Sequence, residues 1–146
     1  NCTAHGLASL QVSAEFDTEG ETMIDMILLS LVLLLVHLLL PSVIALAGGH
    51  VSVAYLFSSR DEVAGTTALV ERAQRACGNL LETLPAFLVL AVLSLMQDSQ
   101  ALALAQGWLV LRVIYLTCYL AGIAYVRSLV WIGALGCLIG MALPLF

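Results

Sequence analysis

Glu71-Arg72-Ala73-Gln74-Arg75-Ala76-Cys77-Gly78-Asn79-Leu80-Leu81-Glu82-Thr83-Leu84-Pro85 runs without interruption into an apolar segment that ends at Met96. Arg72, Arg75, Asn79 and Glu82 are spaced by 3, 4 and 3 residues, the repeat of one helical face. At about 100° per residue they fall at about 0°, 300°, 340° and 280°, a polar stripe some 80° wide. A charge at the centre of a bilayer costs about 2.5–3.5 kcal/mol on the lenient insertion scale. Charges kept on a membrane helix at helical spacing therefore point to a polar site built within the bundle.

Working outward, the stripe belongs to one of four apolar runs, at 23–47, 69–96, 101–126 and 129–146. Each is close to or above the roughly 17–25 residues that cross a hydrocarbon core about 30 Å thick. Of the 146 residues, 62% are hydrophobic and only 10% charged, against about 25% charged in an average soluble domain. Four crossings consume most of the chain and leave no room for a separate soluble domain. The fold class is all-α: an integral membrane four-helix bundle over 23–146.

The net charge of −5 is unevenly spread. Glu15, Asp17, Glu19, Glu21 and Asp25 have no basic residue near them, whereas Asp61, Glu62, Glu71, Glu82 and Asp98 balance five arginines. Residues 1–22 read as an acidic, disordered N-terminal extension, with Met23 or Met26 a natural start. Every cation is an arginine, the side chain suited to bidentate capture of carboxylates. Nothing in this pattern points to a nucleic-acid partner. Cys2, Cys77, Cys118 and Cys137 lack metal or redox spacing, and no metal site is expected.

In the first run, Ala45-Leu46-Ala47 resembles a small-residue cleavage site. The preceding Asp25, the lack of a basic n-region and the length of the run favour a retained helix. Gly48 and Gly49 end it, and His50 falls in the connection that follows. Gln97-Asp98-Ser99-Gln100 is a tight turn that makes the second and third runs antiparallel neighbours. Val126-Arg127-Ser128 reads as a second short turn. The last run carries Gly133, Gly136 and Gly140; Gly136-xxx-Gly140 permits close helix contact, although small residues are also simply common in membrane helices. Arg60, Arg72, Arg75 and Arg127 lie on one side, so the positive-inside rule leaves both termini on the non-cytoplasmic side.

In the third run, Arg112, Tyr115, Tyr119 and Gly122 repeat the angles of the first stripe. Counting from the 98/99 turn sets Glu82 level with Tyr115 and Asn79 level with Tyr119. Arg112 lies about one turn deeper than Glu82, and a Glu82–Arg112 pair is the expected way for both charges to survive. Two readings of the stripe stay open. In one, Arg72 and Arg75 anchor at the interface while Asn79, Glu82 and Arg112 specify packing. In the other, the same residues line a pocket for a small ligand bearing carboxylates and an amine. Arginines would then clamp the carboxylates, Glu82 would take the ammonium, and Asn79 and the tyrosines would fix orientation. His37 reads as a satisfied bundle histidine.

The string Glu-Arg-x-x-Arg-Ala-x-x-Asn-x-x-Glu-x-x-Pro at 71–85 resembles the signature of the MAPEG family, membrane-associated proteins in eicosanoid and glutathione metabolism. Arg112, Tyr115, Tyr119 and Arg127 are similar to later features of that family, so the resemblance covers about 23–146. It implies a left-handed four-helix protomer assembled as a homotrimer, with glutathione held between protomers near the cytoplasmic side. By that resemblance Arg72, Arg75, Asn79, Glu82, Arg112, Tyr115 and Tyr119 hold glutathione. Arg127 matches the arginine that stabilises its thiolate, and Ser128 a neighbouring hydroxyl. Gly78 stands where some relatives have Arg, and Trp131 near a pocket tyrosine of others. These departures resemble the small, mostly bacterial branch.

The expected activity is that of a glutathione-dependent transferase or peroxidase acting on lipophilic electrophiles or hydroperoxides. The second substrate would arrive from the bilayer, in a bacterial inner membrane or an endoplasmic reticulum-type membrane. The alternative is a non-catalytic membrane scaffold or lipid-binding module of the same fold. In that case Arg127 is only a positive-inside anchor and Ser128 only caps the fourth helix. A transporter would need an internal repeat or a broken helix, and a hydrolase a nucleophile–base pair.

Overall fold

The computed structural model describes residues 2–49, 51–57, 67–97 and 101–145. His50, Arg60, Asp61, Glu62 and the turn at 98–100 lie outside them. Among the described residues the chain forms α1 (Cys2–Ala47), a short α2 (Val53–Leu56), α3 (Ala68–Met96), α4 (Leu102–Ala121) and α5 (Ala124–Ala142), closed by a 3-10 turn at Leu143–Leu145. Segments of the four long helices, Thr22–Ala47, Ala68–Met96, Leu102–Ala121 and Ala124–Leu145, are long and apolar enough to cross a membrane. The protein is an all-helical, multi-pass integral membrane protein. Helix α1 extends back to Cys2, and its membrane-crossing segment is Thr22–Ala47.

The helices pack along stripes that repeat every seven residues. On α3 the buried positions are Val70, Ala73, Cys77, Leu80, Leu84, Phe87, Ala91 and Ser94, alternating steps of three and four, with Ala76 beside them. That period of 3.5 keeps one seam facing its neighbours along the whole helix. On α1 the buried residues Met23, Ser30 and His37 repeat at seven. Over residues 24–46 the remaining face of α1 is a nearly continuous surface of Leu, Val and Ile open on the outside, as a lipid-facing helix requires. Tails of lipid are as apolar as leucine, so close packing and polar contacts hold such helices together.

Contacts are densest between α4 and α5 and between α1 and α3; α3–α4 and α1–α4 contacts join the two pairs. In the core Phe87 and Trp108 stack with ring centroids 4.0 Å apart and planes 7° from parallel. Both are fully buried, and the stack fixes the antiparallel register of α3 on α4. Small residues let α5 approach α4: an added methyl at Gly140 would come within 2.9 Å of Leu104, and one at Gly133 within 3.3 Å of Leu111. Gly136 meets nothing within 4 Å. The close contact within the protomer therefore uses Gly133 and Gly140, seven apart, and Gly136 takes no part in it.

The end of α4 differs from expectation. The third run was expected to continue to 126, with the turn at Val126–Ser128. Instead Gly122 adopts φ 75°, and its N–H and that of Ile123 bond back to Tyr119 O (3.1 Å) and Cys118 O (2.9 Å). This is a Schellman stop, which glycine takes without a Cβ penalty. Helix α5 then starts at Ala124 with Ile123 as its N-cap. Arg127 and Ser128 thus lie inside the first turns of α5, and Ser128 caps nothing.

Candidate functional site

Helix α3 begins with Thr67 as N-cap, its hydroxyl accepting from Val70 N–H at 3.4 Å. The polar stripe flanks the buried seam of α3 and splits along its length. Arg72 and Asn79, at about 0° and 340° on the helical wheel, are half-buried toward α4; Arg75 and Glu82, about 60° further round, are exposed. Arg75 forms an ion pair with Glu71 at 3.5 Å, one turn before it on the same helix.

Arg112 is the centre of the inner network. It is 1% exposed and donates from Nη1 to Asn79 Oδ1 at 2.7 Å. Its guanidinium carbon lies 5.5 Å from the ring centroids of both Trp108 and Tyr115. Its Nε and Nη2 have no hydrogen-bond partner among the described residues. The expected Glu82–Arg112 pair is replaced by Asn79–Arg112. The Phe87–Trp108 stack sets Glu82 nearly level with Arg112, so depth permits the pair and azimuth forbids it. Glu82 acts on Arg112 only through its field, and among the described residues it forms no ion pair.

His37 of α1, also 1% exposed, donates from Nδ1 to Leu33 O at 2.8 Å, a satisfied bundle histidine as expected. It lies within electrostatic range of Arg112, a proximity with no signal in the sequence because α1 and α4 are linked by no shared spacing.

One helical turn and more along α4, Tyr115 and Tyr119 meet edge to face, centroids 5.1 Å apart at 67°. Arg127 crosses from α5 and holds its guanidinium carbon 4.7 Å from the Tyr119 ring centroid, a cation–π contact worth about 0.5–2 kcal/mol depending on desolvation. Ser128 donates its hydroxyl hydrogen to Ala124 O at 3.2 Å.

These residues line an open cavity of about 350 Å³ together with Trp131 and Ile132; its wall is Asn79, Tyr115, Tyr119, Arg127, Ser128, Trp131 and Ile132. Small-molecule sites are typically about 300–1,000 Å³ with a few convergent polar groups. Of the residues expected to form a site, Asn79, Tyr115, Tyr119, Arg127 and Ser128 come together in its wall. Arg112 stands behind the wall, bonded to Asn79. Arg75 and Glu82 face outward, and Arg72 lies against the end of α4 at Gly122. Ile132 is the wall residue that sequence reasoning missed, an isoleucine among many.

Among the described residues no cluster of His, Cys, Asp and Glu fits a metal ion, and Cys77, Cys118 and Cys137 are free thiols. No curated protein and no solved structure matches the chain. The model of the MAPEG family matches residues 26–146, which takes in most of the first membrane-spanning segment, all of the other three and every residue of the cavity. The chain belongs to the MAPEG family.

Proposed function

We propose that the protein is a glutathione-dependent transferase or peroxidase acting on lipophilic electrophiles or hydroperoxides, with Arg127 stabilising the glutathione thiolate. The observation that carries this reading is the cavity in which Asn79, Tyr115, Tyr119 and Arg127 converge from three helices. A thiol ordinarily ionises at about 8.5, and a nearby guanidinium favours the charged form. Arg127 sits in the first turn of α5, where unpaired N–H groups and the helix dipole also favour an anion. Both fields act in the same sense on a sulfur placed beside them. Ser128 supplies a second donor when its hydroxyl turns away from Ala124 O.

The thiolate then attacks carbon or oxygen. With an electrophile, a C–S bond forms as the leaving group departs with its electron pair. With a hydroperoxide, an S–O bond forms as O–O breaks, the alkoxide takes a proton, and a second glutathione converts the sulfenic acid to disulfide and water. The protein contributes ionisation and proximity. In this reading Arg75 and Glu82 meet glutathione across a boundary between protomers of a homotrimer, Arg75 on a carboxylate and Glu82 on the ammonium. Their outward orientation supports that placement, because Glu82, turned away from the protomer core and without an ion pair among the described residues, needs a partner in a membrane. Both termini lie on the non-cytoplasmic side, and the second substrate enters from the bilayer.

A specific observation also favours the non-catalytic reading. Arg112 and Asn79 bond directly to each other inside the protomer, as a packing network would. Calorimetry of glutathione binding in detergent, with thiolate absorbance followed against pH, separates the two. Wild-type protein binds and shows a thiolate at neutral pH. Arg127→Ala raises the bound thiol's midpoint by about 1–2 units, so turnover falls at neutral pH and recovers as pH rises. An intact oligomer that binds no glutathione at millimolar concentration leaves the scaffold or lipid-binding reading.

A further inference from the structure

The sequence groups Arg72 with the ligand-holding residues, yet its guanidinium is engaged elsewhere. A Cβ built on Gly122 would lie 3.0 Å from Arg72 Nη1, 3.2 Å from Cζ and 3.3 Å from Nη2. Three atoms at nearly equal distance mean that the guanidinium plane lies flat across Gly122. A side chain at this position would push the guanidinium back by a few tenths of an ångström. Gly122 is also the left-handed residue of the Schellman stop, at φ 75°, so two independent constraints converge on one glycine.

That glycine ends α4, where the remaining carbonyls and the negative end of the helix dipole attract a cation. The turn it makes is three residues past Tyr119, whose carbonyl accepts Gly122 N–H, and two before α5. Tyr119 carries Arg127 on its ring. The chain of contact therefore runs from Arg72 to Gly122, through the turn to Tyr119, and from there to Arg127.

We infer that Arg72 is a positioning residue: laid over Gly122, it clamps the α4–α5 turn and thereby sets Arg127 against the cavity. This rests on the glutathione reading above for its functional consequence, while the clamp itself has a readout that needs no ligand. In wild-type protein the amides of Gly122 and Ile123 exchange slowly with deuterium. Arg72→Ala speeds their exchange at least tenfold, and Arg72→Lys, which keeps a cation at the end of α4, speeds it less than threefold.

With glutathione present, Arg72→Ala changes KM less than threefold, lowers kcat about tenfold and moves the thiolate pH profile upward as Arg127→Ala does. Arg72→Lys restores most of kcat. The double variant Arg72→Ala/Arg127→Ala is no worse than Arg127→Ala alone, because both act on one group. Unchanged exchange at 122–123, or exchange that rises without any movement of the pH profile, overturns the inference. A large rise in KM with an unmoved pH profile does so too, by making Arg72 a direct ligand contact. Failure of wild-type protein to bind glutathione sinks the catalytic reading separately and with it Arg72's role toward Arg127, leaving the exchange result to report on the clamp alone.

Discussion

Two edges of one helical stripe on α3 behave differently although their residues alternate in sequence. The inner edge, Arg72 and Asn79, reaches α4: Arg72 lies over Gly122 and Asn79 accepts from Arg112. The outer edge, Arg75 and Glu82, is exposed, with Arg75 held by Glu71 on its own helix. A rotation of about 60° separates residues engaged inside the protomer from residues that point away from it. In water that distinction would matter little, since exposed charges are solvated. Within a membrane span Glu82 still needs a partner, whereas Arg75 has Glu71 and Asn79 has Arg112. The inner edge therefore reports on the fold of one chain, and the outer edge on what that chain meets.

The largest effect expected from this contrast is on stability. Asn79→Leu removes the hydrogen bond to a buried guanidinium whose Nε and Nη2 already lack partners. Loss of a hydrogen bond to a charged group costs about 1.5–3 kcal/mol, more if the charge is left uncompensated. Thermal unfolding in detergent should show Asn79→Leu clearly destabilised. Arg112→Met in the same chain should restore much of the loss, because the stranded charge goes with its side chain. If Asn79→Leu melts with wild type, the bond does not hold α3 to α4 and the inner edge loses its structural meaning.

Glu82→Gln tests the other edge and should be smaller in stability but not in function. The residue is exposed in the protomer and forms no ion pair there. Surface changes of this kind usually stay within about 0.5 kcal/mol, so the melting of the protomer should not move. Glutathione affinity should weaken about tenfold, roughly 1.4 kcal/mol, as the carboxylate that takes the ammonium is lost. An affinity unchanged beside an unchanged melting temperature would show that the outer edge is not part of the site.

The four spans and their antiparallel order were legible because length and hydropathy are properties of whole segments, insensitive to one residue. The match to residues 26–146 agrees with that reading. The polar stripe was legible too, since 3.6-residue periodicity places Arg72, Arg75, Asn79 and Glu82 on one side whatever they touch. Which of them faces α4 was not, because that depends on the rotation of α3 about its own axis. The apolar seam Val70–Ala73–Cys77–Leu80 carried the information, and its neighbours at 72 and 79 followed from it. The pairing of Arg112 failed for the same reason: depth can be counted from a turn, whereas azimuth needs the partner helix. The end of α4 failed differently. Gly122 fell at the angle of the polar face and was read as part of it, when its meaning was conformational, a left-handed stop that moved Arg127 and Ser128 from a turn into α5.

The same inward–outward contrast recurs on α5 at its glycines, with the smallest expected effect. Gly140 faces Leu104 closely enough that an added methyl would come within 2.9 Å of a terminal carbon, whereas Gly136 opens on empty space. Within one chain, Gly136→Ala meets no obstacle, and alanine favours a helix over glycine by about 0.8–1.0 kcal/mol. Unfolding of the protomer should therefore be unchanged or slightly raised. Gly140→Ala has to push aside the flexible end of Leu104, which offsets the gain in propensity. The comparison sharpens when both variants are taken through a measurement of oligomeric mass in detergent. If Gly136 lies where a second copy approaches, its methyl lowers the oligomer fraction while sparing the protomer, and Gly140→Ala does the reverse. If both variants leave oligomeric mass untouched, the open glycine faces lipid, and contact between copies runs through the charged edge of α3 instead.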